Sequence, residues 1–284
     1  MRFQSRLKQT LDVLYRRYAR PERIAADPIE FPHRCRKPED IEVAGFIAAM
    51  FSYGRVDLFK PVIERVLSVL GDSPVVALRT LDVEGVRAGL GRVSYRFNRT
   101  DDIAALLWLF SQLVCRRGSL GGAFFASRKG CARDRLSDLR MDLLSGSTTE
   151  VYGRPVRPPG LLQLLPDPAS GSASKRMYMF LRWMVRRDAV DFGLWHEFGT
   201  ENLVMPLDTH VARIARNLGF TLRRAADYKT AVEVTDALRR FDARDPVKYD
   251  FTLAHLGISG ECPARPSPAA CKTCPLARHC RAAA

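Results

Sequence analysis

The chain has 284 residues, of which 46% are hydrophobic, and it carries 45 Lys and Arg against 31 Asp and Glu. This length and apolar content allow a full hydrophobic core in one large or two smaller domains, which excludes disorder as the default state. The formal net charge of +14 favours a polyanionic partner. Nucleic acid is the leading candidate, and a merely soluble basic protein is the alternative.

The N-terminal segment, residues 1–20, has the pattern of a basic amphipathic helix without the apolar core of a signal peptide. No run of about 18 apolar residues occurs in the chain, so the sequence predicts no membrane-spanning segment. We therefore expect a cytoplasmic protein. Thiols stay reduced in that compartment, which favours a metal site over a disulfide framework for clustered cysteines.

Apolar residues recur at helical spacing in most segments, for example over 41–51, 101–115 and 175–185. Strand-like alternation is scarce, and Pro and Gly residues separate the helical stretches. The sequence thus predicts an all-α protein. Region 116–159 combines Gly-rich pieces, basic residues and a short helix over 133–144, which indicates an insertion or a mobile loop that faces nucleic acid.

A helix is predicted to begin near Lys175, after a turn rich in Pro, Ser and Gly. At about 100° per residue, the apolar stripe of this helix turns away from Lys175, so its amine should point off the core. The positive end of the helix and the neighbouring Arg176 disfavour a further positive charge on that amine. A solvated surface lysine is the alternative. The stripe consists of Met177, Phe180, Leu181, Met184 and Val185.

A second amphipathic helix begins within residues 205–220. Asp208 lies where a helix N-cap carboxylate accepts backbone N–H bonds, and the helix dipole favours its negative charge. Capping alone and a catalytic role are both compatible with this position. His210 is better explained as a local hydrogen-bonding residue. The expected buried stripe of this helix is Val211, Ile214 and Leu218.

Four of the seven cysteines lie near the C-terminus in the order C-x8-C-x2-C-x5-C. Four thiolates can close a tetrahedral zinc site or hold the corners of an iron–sulfur cluster. Zinc ribbons usually show two close CxxC pairs, whereas one pair occurs here, which favours a 4Fe–4S cluster and leaves zinc as the alternative. The expected ligands are Cys262, Cys271, Cys274 and Cys280.

The cysteine order, together with Pro206-Leu-Asp-Thr-His-Val211 and Lys248-Tyr-Asp-Phe-Thr-Leu-Ala-His-Leu-Gly257, resembles the helix-hairpin-helix DNA glycosylase superfamily. The likeness is to its iron–sulfur branch, typified by endonuclease III. Residues 38–58 look like the first barrel helix of that branch. The usual hairpin Leu-Pro-Gly-x-Gly is replaced by the turn before Lys175. The wide interval from Lys175 to Asp208 is similar to that in archaeal 8-oxoguanine glycosylases.

The resemblance implies a two-domain glycosylase fold, with a helical barrel over 37–200 and a cluster domain formed by 1–36 and 201–284. Double-stranded DNA with a damaged base would lie in the cleft between them. The protein would be a bacterial, nucleoid-associated DNA glycosylase and AP lyase, and we expect a monomer. It would excise an oxidised base, with 8-oxoguanine favoured. Lys175 would be the nucleophile that forms a Schiff base with the sugar, and Asp208 its electrostatic partner.

Several residues are expected to contact DNA. The amides of the turn before Lys175 can cradle a phosphate at a helix start. An aromatic and a basic residue follow the first barrel helix, where the relatives contact the lesion, and another arginine lies in the first cysteine loop. Packed core is the alternative for the tyrosine, and solvated charge for the arginines. The expected contacts are Tyr53, Arg55, Ser170, Gly171, Ser172, Ser174, Arg176 and Arg265.

Other activities on the same fold stay open. One is a DNA-binding protein, stabilised by iron–sulfur or zinc, that has lost the reaction. Another is a monofunctional glycosylase in which Lys175 merely contacts phosphate. An oxidised pyrimidine is the alternative to 8-oxoguanine as the excised base.

Overall fold

The structure, a computed structural model, describes residues 2–265 and 267–283. Across those residues the chain forms α-helices joined by turns and short 3-10 segments, with isolated bridges but no β-strand. The prediction of an all-α protein is confirmed. None of the helices described is both long and apolar enough to span a lipid bilayer.

The chain divides into two compact units, here called unit 1 and unit 2. Unit 1 consists of Met1–Arg23 and Ser170–Ala284, and unit 2 consists of Ile24–Ala169. The predicted domain limits at 37 and 200 stay a prediction, because a compact unit is not by itself an independently folding domain.

Helices α2 to α11 belong to unit 2, and two of them replace the single helix expected over 38–58. The left-handed Gly54, at φ 86°, turns the chain between α3 and α4. The ten helices are α2 (Glu30–His33), α3 (Pro38–Phe51), α4 (Val56–Leu70), α5 (Pro74–Arg79), α6 (Val83–Leu90), α7 (Thr100–Arg117), α8 (Leu120–Ala126), α9 (Ala132–Leu144), α10 (Thr149–Tyr152) and α11 (Pro159–Leu164).

Helix α3 is buried along most of its length, and two buried carboxylates on it cap other helices. Oδ1 of Asp40 accepts a 2.8 Å hydrogen bond from the N–H of Val75 in α5. Oε2 of Glu42 accepts a 3.0 Å hydrogen bond from the N–H of Gly121 in α8. A carboxylate at a helix start satisfies an otherwise orphaned donor and complements the helix dipole, so these acids hold α5 and α8 against α3.

Residues 116–159, which the sequence indicated as an insertion or a mobile loop, are largely helical. They form the end of α7 and then α8, α9 and α10. Three leucines of α9, at 136, 139 and 143, are 0% exposed, and α9 packs against α7. The three buried leucines form a short apolar stripe that packs the region onto α7. The Gly-rich segments beside α9 are typical of loops, which explains the prediction of a mobile loop.

Unit 1 contains α1 and the five helices that follow Ser170. Leu7, Leu11, Leu14 and Tyr18 form one buried face of α1, at helical spacing. Burying one leucine side chain contributes about 1.5–3 kcal/mol, so this face attaches the N-terminal helix firmly to unit 1. The helices are α1 (Arg2–Tyr18), α12 (Lys175–Val185), α13 (Thr209–Asn217), α14 (Tyr228–Arg239), α15 (Asp250–Ile258) and α16 (Pro268–Thr273).

Helix α12 is buried on every side rather than along one stripe. All residues from Met177 to Val185 are buried, including Arg182. The expected apolar stripe is part of this surface, but the polar and aromatic residues between its members are buried as well. A helix that is enclosed all round lies inside a unit instead of on its surface. The start of α12 at Lys175 is less buried than the rest.

Candidate active site and cysteine centre

Lys175 occupies the first position of α12, where the helix emerges from the interior. Ser174 precedes it in the left-handed conformation, at φ 39° and ψ 41°. Non-glycine residues adopt this conformation rarely, and it is concentrated at functional sites. Lys175 is half-buried, and in the described residues its amine has neither a hydrogen bond nor an ion pair. The amine is thus available to a ligand.

The turn before Lys175 carries a chain of serine hydroxyls. Oγ of Ser170 donates to Oγ of Ser172 at 3.1 Å, and the hydroxyls of Ser172 and Ser174 share a 3.0 Å hydrogen bond. The carbonyl of Gly171 accepts a 3.0 Å bond from the N–H of Tyr228 at the start of α14. Ser174 is buried, whereas the three residues before Ala173 are exposed. The exposed part of the turn is therefore fixed by α14 and offers its polar groups to solvent.

Asp208 caps α13 as predicted. One of its carboxylate oxygens, Oδ1, accepts a 2.8 Å hydrogen bond from the N–H of Val211. This bond leaves the second oxygen, Oδ2, without a hydrogen bond in the described residues. The cap therefore holds the carboxylate in place and still leaves it an acceptor.

Helices α13 and α15 approach each other closely at Gly257. A β-carbon at position 257 would lie 2.6 Å from Cβ and from Nδ1 of His210. Only glycine permits this approach without displacing the imidazole. Helix α13 carries Asp208 at its start and α15 carries Asp250 at its start. The packing at Gly257 therefore fixes the helices that carry these two carboxylates.

The charges of Lys175 and Asp208 both act on Asp250, which is only 3% exposed. Burial raises the pKa of Asp250 to about 6, against the opposing effect of Arg182. The Asp208 carboxylate adds to the rise, and the Lys175 ammonium opposes it. Because such effects weaken with distance, Lys175 and Asp208 each lie close enough to Asp250 in unit 1 for their charges to act on it.

A buried network of arginines and aspartates holds Asp250. Arg182 donates to Asp250 and, at 3.1 Å, to Asp191. Arg186 donates to the same Asp191 and, at 3.0 Å, to Asp245. Buried charges need partners of this kind, because an unpaired charge in a protein interior is costly. The network therefore fixes the position of the Asp250 carboxylate within the candidate site.

All four clustered cysteines line one cavity in unit 1. Burial raises the pKa of the Cys274 thiol, and the other three thiols raise it further through their charge. Burial likewise raises the pKa of the Cys262 thiol. The mutual effect of the thiols on the pKa of Cys274 is consistent with their shared cavity. The cavity-lining cysteines are Cys262, Cys271, Cys274 and Cys280.

The arrangement of these sulfurs bears on what they could hold. In residues 2–265 and 267–283, no group of three or more His, Cys, Asp or Glu side chains has the arrangement of a metal-ion site. Zinc requires four sulfurs at about 2.3 Å from one centre. An iron–sulfur cluster instead binds each cysteine to its own iron, which spreads the sulfurs apart. The structure places the four thiols around one cavity, and the group that they would hold stays a prediction.

The cysteine segment is tied to α13. One guanidinium nitrogen of Arg213, Nη2, donates a 2.5 Å hydrogen bond to the carbonyl of Cys262. The N–H of Arg281 donates a 2.8 Å hydrogen bond to the carbonyl of Asn217, the last residue of α13. The same helix that Asp208 caps is thus attached to both ends of the cysteine segment.

Two expected DNA contacts, Tyr53 and Arg55, belong to unit 2. The Tyr53 hydroxyl donates to Oδ1 of Asn98, and its ring lies 4.8 Å from that of Tyr95. Arg55 forms an exposed ion pair with Asp57 at 2.6 Å. Tyr53 therefore has a packing role, which was the alternative expected for it. Arg55 is solvated but already paired.

The two remaining expected contacts belong to unit 1. Arg176 follows Lys175 in α12 and is half-buried, and Arg265 lies exposed in the cysteine segment. Their roles in DNA binding stay predictions. The structure adds Asp250, which lies in the stretch 248–257 but was not among the predicted site residues. An aspartate at the start of an apolar helix was the available signal.

Comparisons with known proteins identify one family. A family model, DUF2400, described as a protein of unknown function, matches residues 27–259. No curated protein and no solved structure matches the chain. No helix-hairpin-helix glycosylase family matches either, so the resemblance to that superfamily is wrong. The motifs that carried it are short, and several of them have local structural roles in capping and helix packing. The chain belongs to the DUF2400 family.

Proposed function

We propose that this protein is a DNA glycosylase with AP-lyase activity. One observation carries the proposal: the unpaired amine of Lys175 and the capping carboxylate of Asp208 both lie close enough to the buried Asp250 for their charges to act on it. A lysine amine is the side-chain nucleophile that forms Schiff bases with carbonyl carbons, and an opened deoxyribose supplies such a carbon. The net charge of +14 supports a polyanionic substrate such as DNA.

In the proposed reaction the neutral Lys175 amine attacks C1′ of the damaged nucleotide. A carbon–nitrogen bond forms, the glycosidic bond breaks, and its electron pair leaves with the base, which takes up a proton. The bonded nitrogen, now positively charged, loses a proton to a neighbouring carboxylate. Its lone pair then forms a protonated imine as the sugar ring opens and O4′ takes up a proton. Loss of a proton from C2′ expels the 3′ phosphate and nicks the strand. Water finally hydrolyses the imine and restores the lysine.

The carboxylates have separate roles in this scheme. Asp208, fixed by its hydrogen bond from Val211, stabilises the positive charge that develops on the sugar as the base leaves. Asp250, whose pKa is raised to about 6, can hold a proton near neutral pH. That property suits it to take the proton that Lys175 must lose before it attacks.

The cysteine centre is proposed to hold a 4Fe–4S cluster on Cys262, Cys271, Cys274 and Cys280. When bound, the cluster would act as a structural crosslink, since base excision needs no electron transfer. Unit 1 is then the cluster domain and unit 2 a separate helical domain. A brown protein with broad visible absorbance would support the cluster, and a colourless protein that contains zinc would contradict it.

DNA contacts are proposed at polar and basic groups of unit 1. In unit 1 these are the amides of the turn before Ala173, Arg176 and the exposed Arg265. Such groups grip phosphates without reading sequence. Of the two possible lesion classes, 8-oxoguanine stays the first to test and an oxidised pyrimidine the second.

Borohydride trapping tests the proposed reaction directly. Duplexes with a single 8-oxoguanine, an oxidised pyrimidine or an abasic site are incubated with protein and borohydride, which reduces an imine to a stable amine. We expect a covalent adduct with wild type that Lys175→Gln abolishes. Lys229→Gln, at an exposed lysine of α14, is the matched control and should trap normally. Strand nicking is scored on the same samples.

The outcomes separate the alternatives. Normal trapping by Lys175→Gln would remove Lys175 as the nucleophile. Abasic sites that remain intact until alkali is added would identify a monofunctional glycosylase. Tight, salt-sensitive binding without excision on any duplex would leave a DNA-binding protein and overturn the enzymatic proposal.

A further inference from the structure

Phe97 is the most exposed aromatic side chain among the large hydrophobic residues of the described chain, at 66% exposed. It lies in unit 2, between α6 and α7, and belongs to no helix. Scattered exposed hydrophobic residues need no explanation by themselves. Phe97 differs because the backbone that carries it is a tight and firmly held turn.

The turn has Arg96 and Phe97 at its tip. The N–H of Tyr95 donates to the carbonyl of Asn98 at 2.9 Å, and the N–H of Asn98 donates to the carbonyl of Tyr95 at 2.9 Å. Arg96 adopts a left-handed φ of 53°. A two-residue turn of this kind usually places Gly or Asn at that position, so an arginine there is strained. We call residues 95–98 the Phe97 turn.

Buried polar contacts fix the base of the Phe97 turn. The Tyr95 hydroxyl donates to the carbonyl of Tyr53, and Nδ2 of Asn98 donates to the carbonyl of Gly160 at 2.7 Å. A β-carbon at position 160 would lie 2.9 Å from the carbonyl oxygen of Phe97. Hydrogen bonds to the backbone of Tyr53 and of Gly160 thus hold the turn in place, while the phenyl ring of Phe97 is exposed to solvent.

Three exposed arginines lie within five residues of Phe97 in the sequence. Arg92, Arg96 and Arg99 are all exposed, and in the described part of the chain none of them forms an ion pair. The guanidinium of Arg96 lies 5.8 Å from the centre of the Phe97 ring. Arg55, nearby in sequence to the supporting Tyr53, is by contrast paired with Asp57. An unpaired arginine beside an exposed aromatic ring, with two more arginines nearby in sequence, matches a ligand that offers both phosphates and flat apolar faces.

We propose that Phe97 is a wedge that inserts between adjacent bases of duplex DNA while Arg92, Arg96 and Arg99 bind the flanking phosphates. Apolar side chains unstack base steps in this way, and a rigid backbone is needed so that the ring enters the stack instead of folding back. A wedge works best where pairing is already weakened, because unstacking costs least there. Mismatched or damaged base pairs are therefore the preferred site. The inference rests on the proposed action on DNA.

Fluorescence of 2-aminopurine tests the wedge, because this base brightens when it leaves the stack. A duplex with 2-aminopurine beside a mismatch is titrated with Lys175→Gln protein, so that no chemistry interferes. We expect a fluorescence increase that Phe97→Ala in the same background abolishes, with about a tenfold loss of affinity. Phe97→Trp should retain both effects. Leu222→Ala removes a side chain that is 80% exposed and serves as the matched control.

A second measurement concerns the arginines. Arg96→Gln should reduce the slope of log affinity against log salt by about 1 and leave the fluorescence increase in place at low salt. An unchanged slope would overturn the phosphate contact of Arg96.

The wedge itself is overturned if Phe97→Ala unstacks and binds the duplex as its parent does, or if Leu222→Ala has an equal effect. Phe97-dependent binding to vesicles of anionic lipid, without any Phe97 effect on DNA, would assign the ring to a membrane surface and also overturn the proposal. These readouts need no reaction, so a failure of base excision leaves them standing. Conversely, an inactive wedge leaves trapping by Lys175 untouched.

Discussion

Gly257 of α15 lies directly against His210 of α13, so closely that a β-carbon there would lie 2.6 Å from Nδ1 of the imidazole. Gly257→Ala should therefore push α13 from α15. We expect a loss of roughly 1–3 kcal/mol in the free energy of unfolding, as for other overpacked sites. Trapping by Lys175 should fall as well, because α13 and α15 carry Asp208 and Asp250.

Gly130→Ala is the control for this prediction, since a β-carbon at position 130 meets nothing within 4 Å and its φ lies outside the left-handed region. Urea unfolding followed by circular dichroism measures the stability of each variant. Equal stability of Gly257→Ala and Gly130→Ala would show that the two helices can separate at no cost.

The buried carboxyl of Asp250 should make stability depend on pH. The pKa of Asp250 in the folded protein, about 6, lies above the ordinary value of 3.8. The folded state therefore favours the protonated carboxyl. The contribution of that carboxyl to the free energy of unfolding is fully present below pH 3.8 and is lost as the pH rises through about 6. Asp250→Asn has no such titration. The variant should therefore gain stability relative to wild type between pH 4 and pH 7, by up to about 3 kcal/mol.

Urea unfolding of wild type and Asp250→Asn at a series of pH values measures this difference. Other titrating groups are common to both proteins and cancel in the comparison. A difference in stability that does not vary with pH would mean that the Asp250 carboxyl titrates normally.

Arg186 should be among the most sensitive positions of unit 1. Its side chain is 4% exposed and pairs with Asp188, Asp191 and Asp245. Arg186→Met would leave these carboxylates without their shared cation, and breaking a buried ion pair costs roughly 3–5 kcal/mol. Arg187→Met, at the exposed neighbour, should change the free energy of unfolding by less than about 0.5 kcal/mol.

Equilibrium urea unfolding at neutral pH compares these two arginine variants. The loss in Arg186→Met should shrink at acid pH, where the stranded carboxylates take up protons. A loss that stays the same down to pH 4 would argue against charge as its cause.

Cys274→Ser should remove the bound iron if the four cavity-lining cysteines hold a cluster. We expect loss of the brown colour, of iron measured chemically, and of thermal stability. Cys115→Ser changes an exposed cysteine of unit 2 and should alter none of these. Full iron content in Cys274→Ser would remove that thiol from the ligand set.

Much of the helical pattern could be predicted from local sequence. Helix α12 begins at Lys175, where the turn rich in Pro, Ser and Gly ends, and α13 begins after its Asp208 cap. Both signals act over a few neighbouring residues, so periodicity and capping chemistry predict them. The same locality explains why short motifs led to the wrong superfamily: capping aspartates and helix-packing glycines occur in many folds.

What could not be predicted depends on contacts between distant segments. Asp250 belongs to the candidate site because α15 packs on α13 and because Arg182 of α12 reaches it. Neither contact leaves a local pattern in the sequence. The exposure of Phe97 could not be predicted for the same reason, since the turn that carries Phe97 is held by a hydrogen bond to Gly160, which is distant in the sequence. Tertiary packing decides burial, and burial decides which groups can act.

Two hydrogen bonds join the cysteine segment to α13, so this helix belongs both to the cysteine centre and to the candidate active site. Arg213 of α13 donates to the carbonyl of Cys262, and the carbonyl of Asn217, the last residue of α13, accepts from the N–H of Arg281. Asp208 caps the opposite end of the same helix. If the cysteines hold the proposed cluster, unfolding of the chain beyond Gly260 on loss of the metal would loosen α13 and displace the Asp208 carboxylate at its start. Under that proposal, metal supply would control the proposed activity through the position of α13, with no redox step.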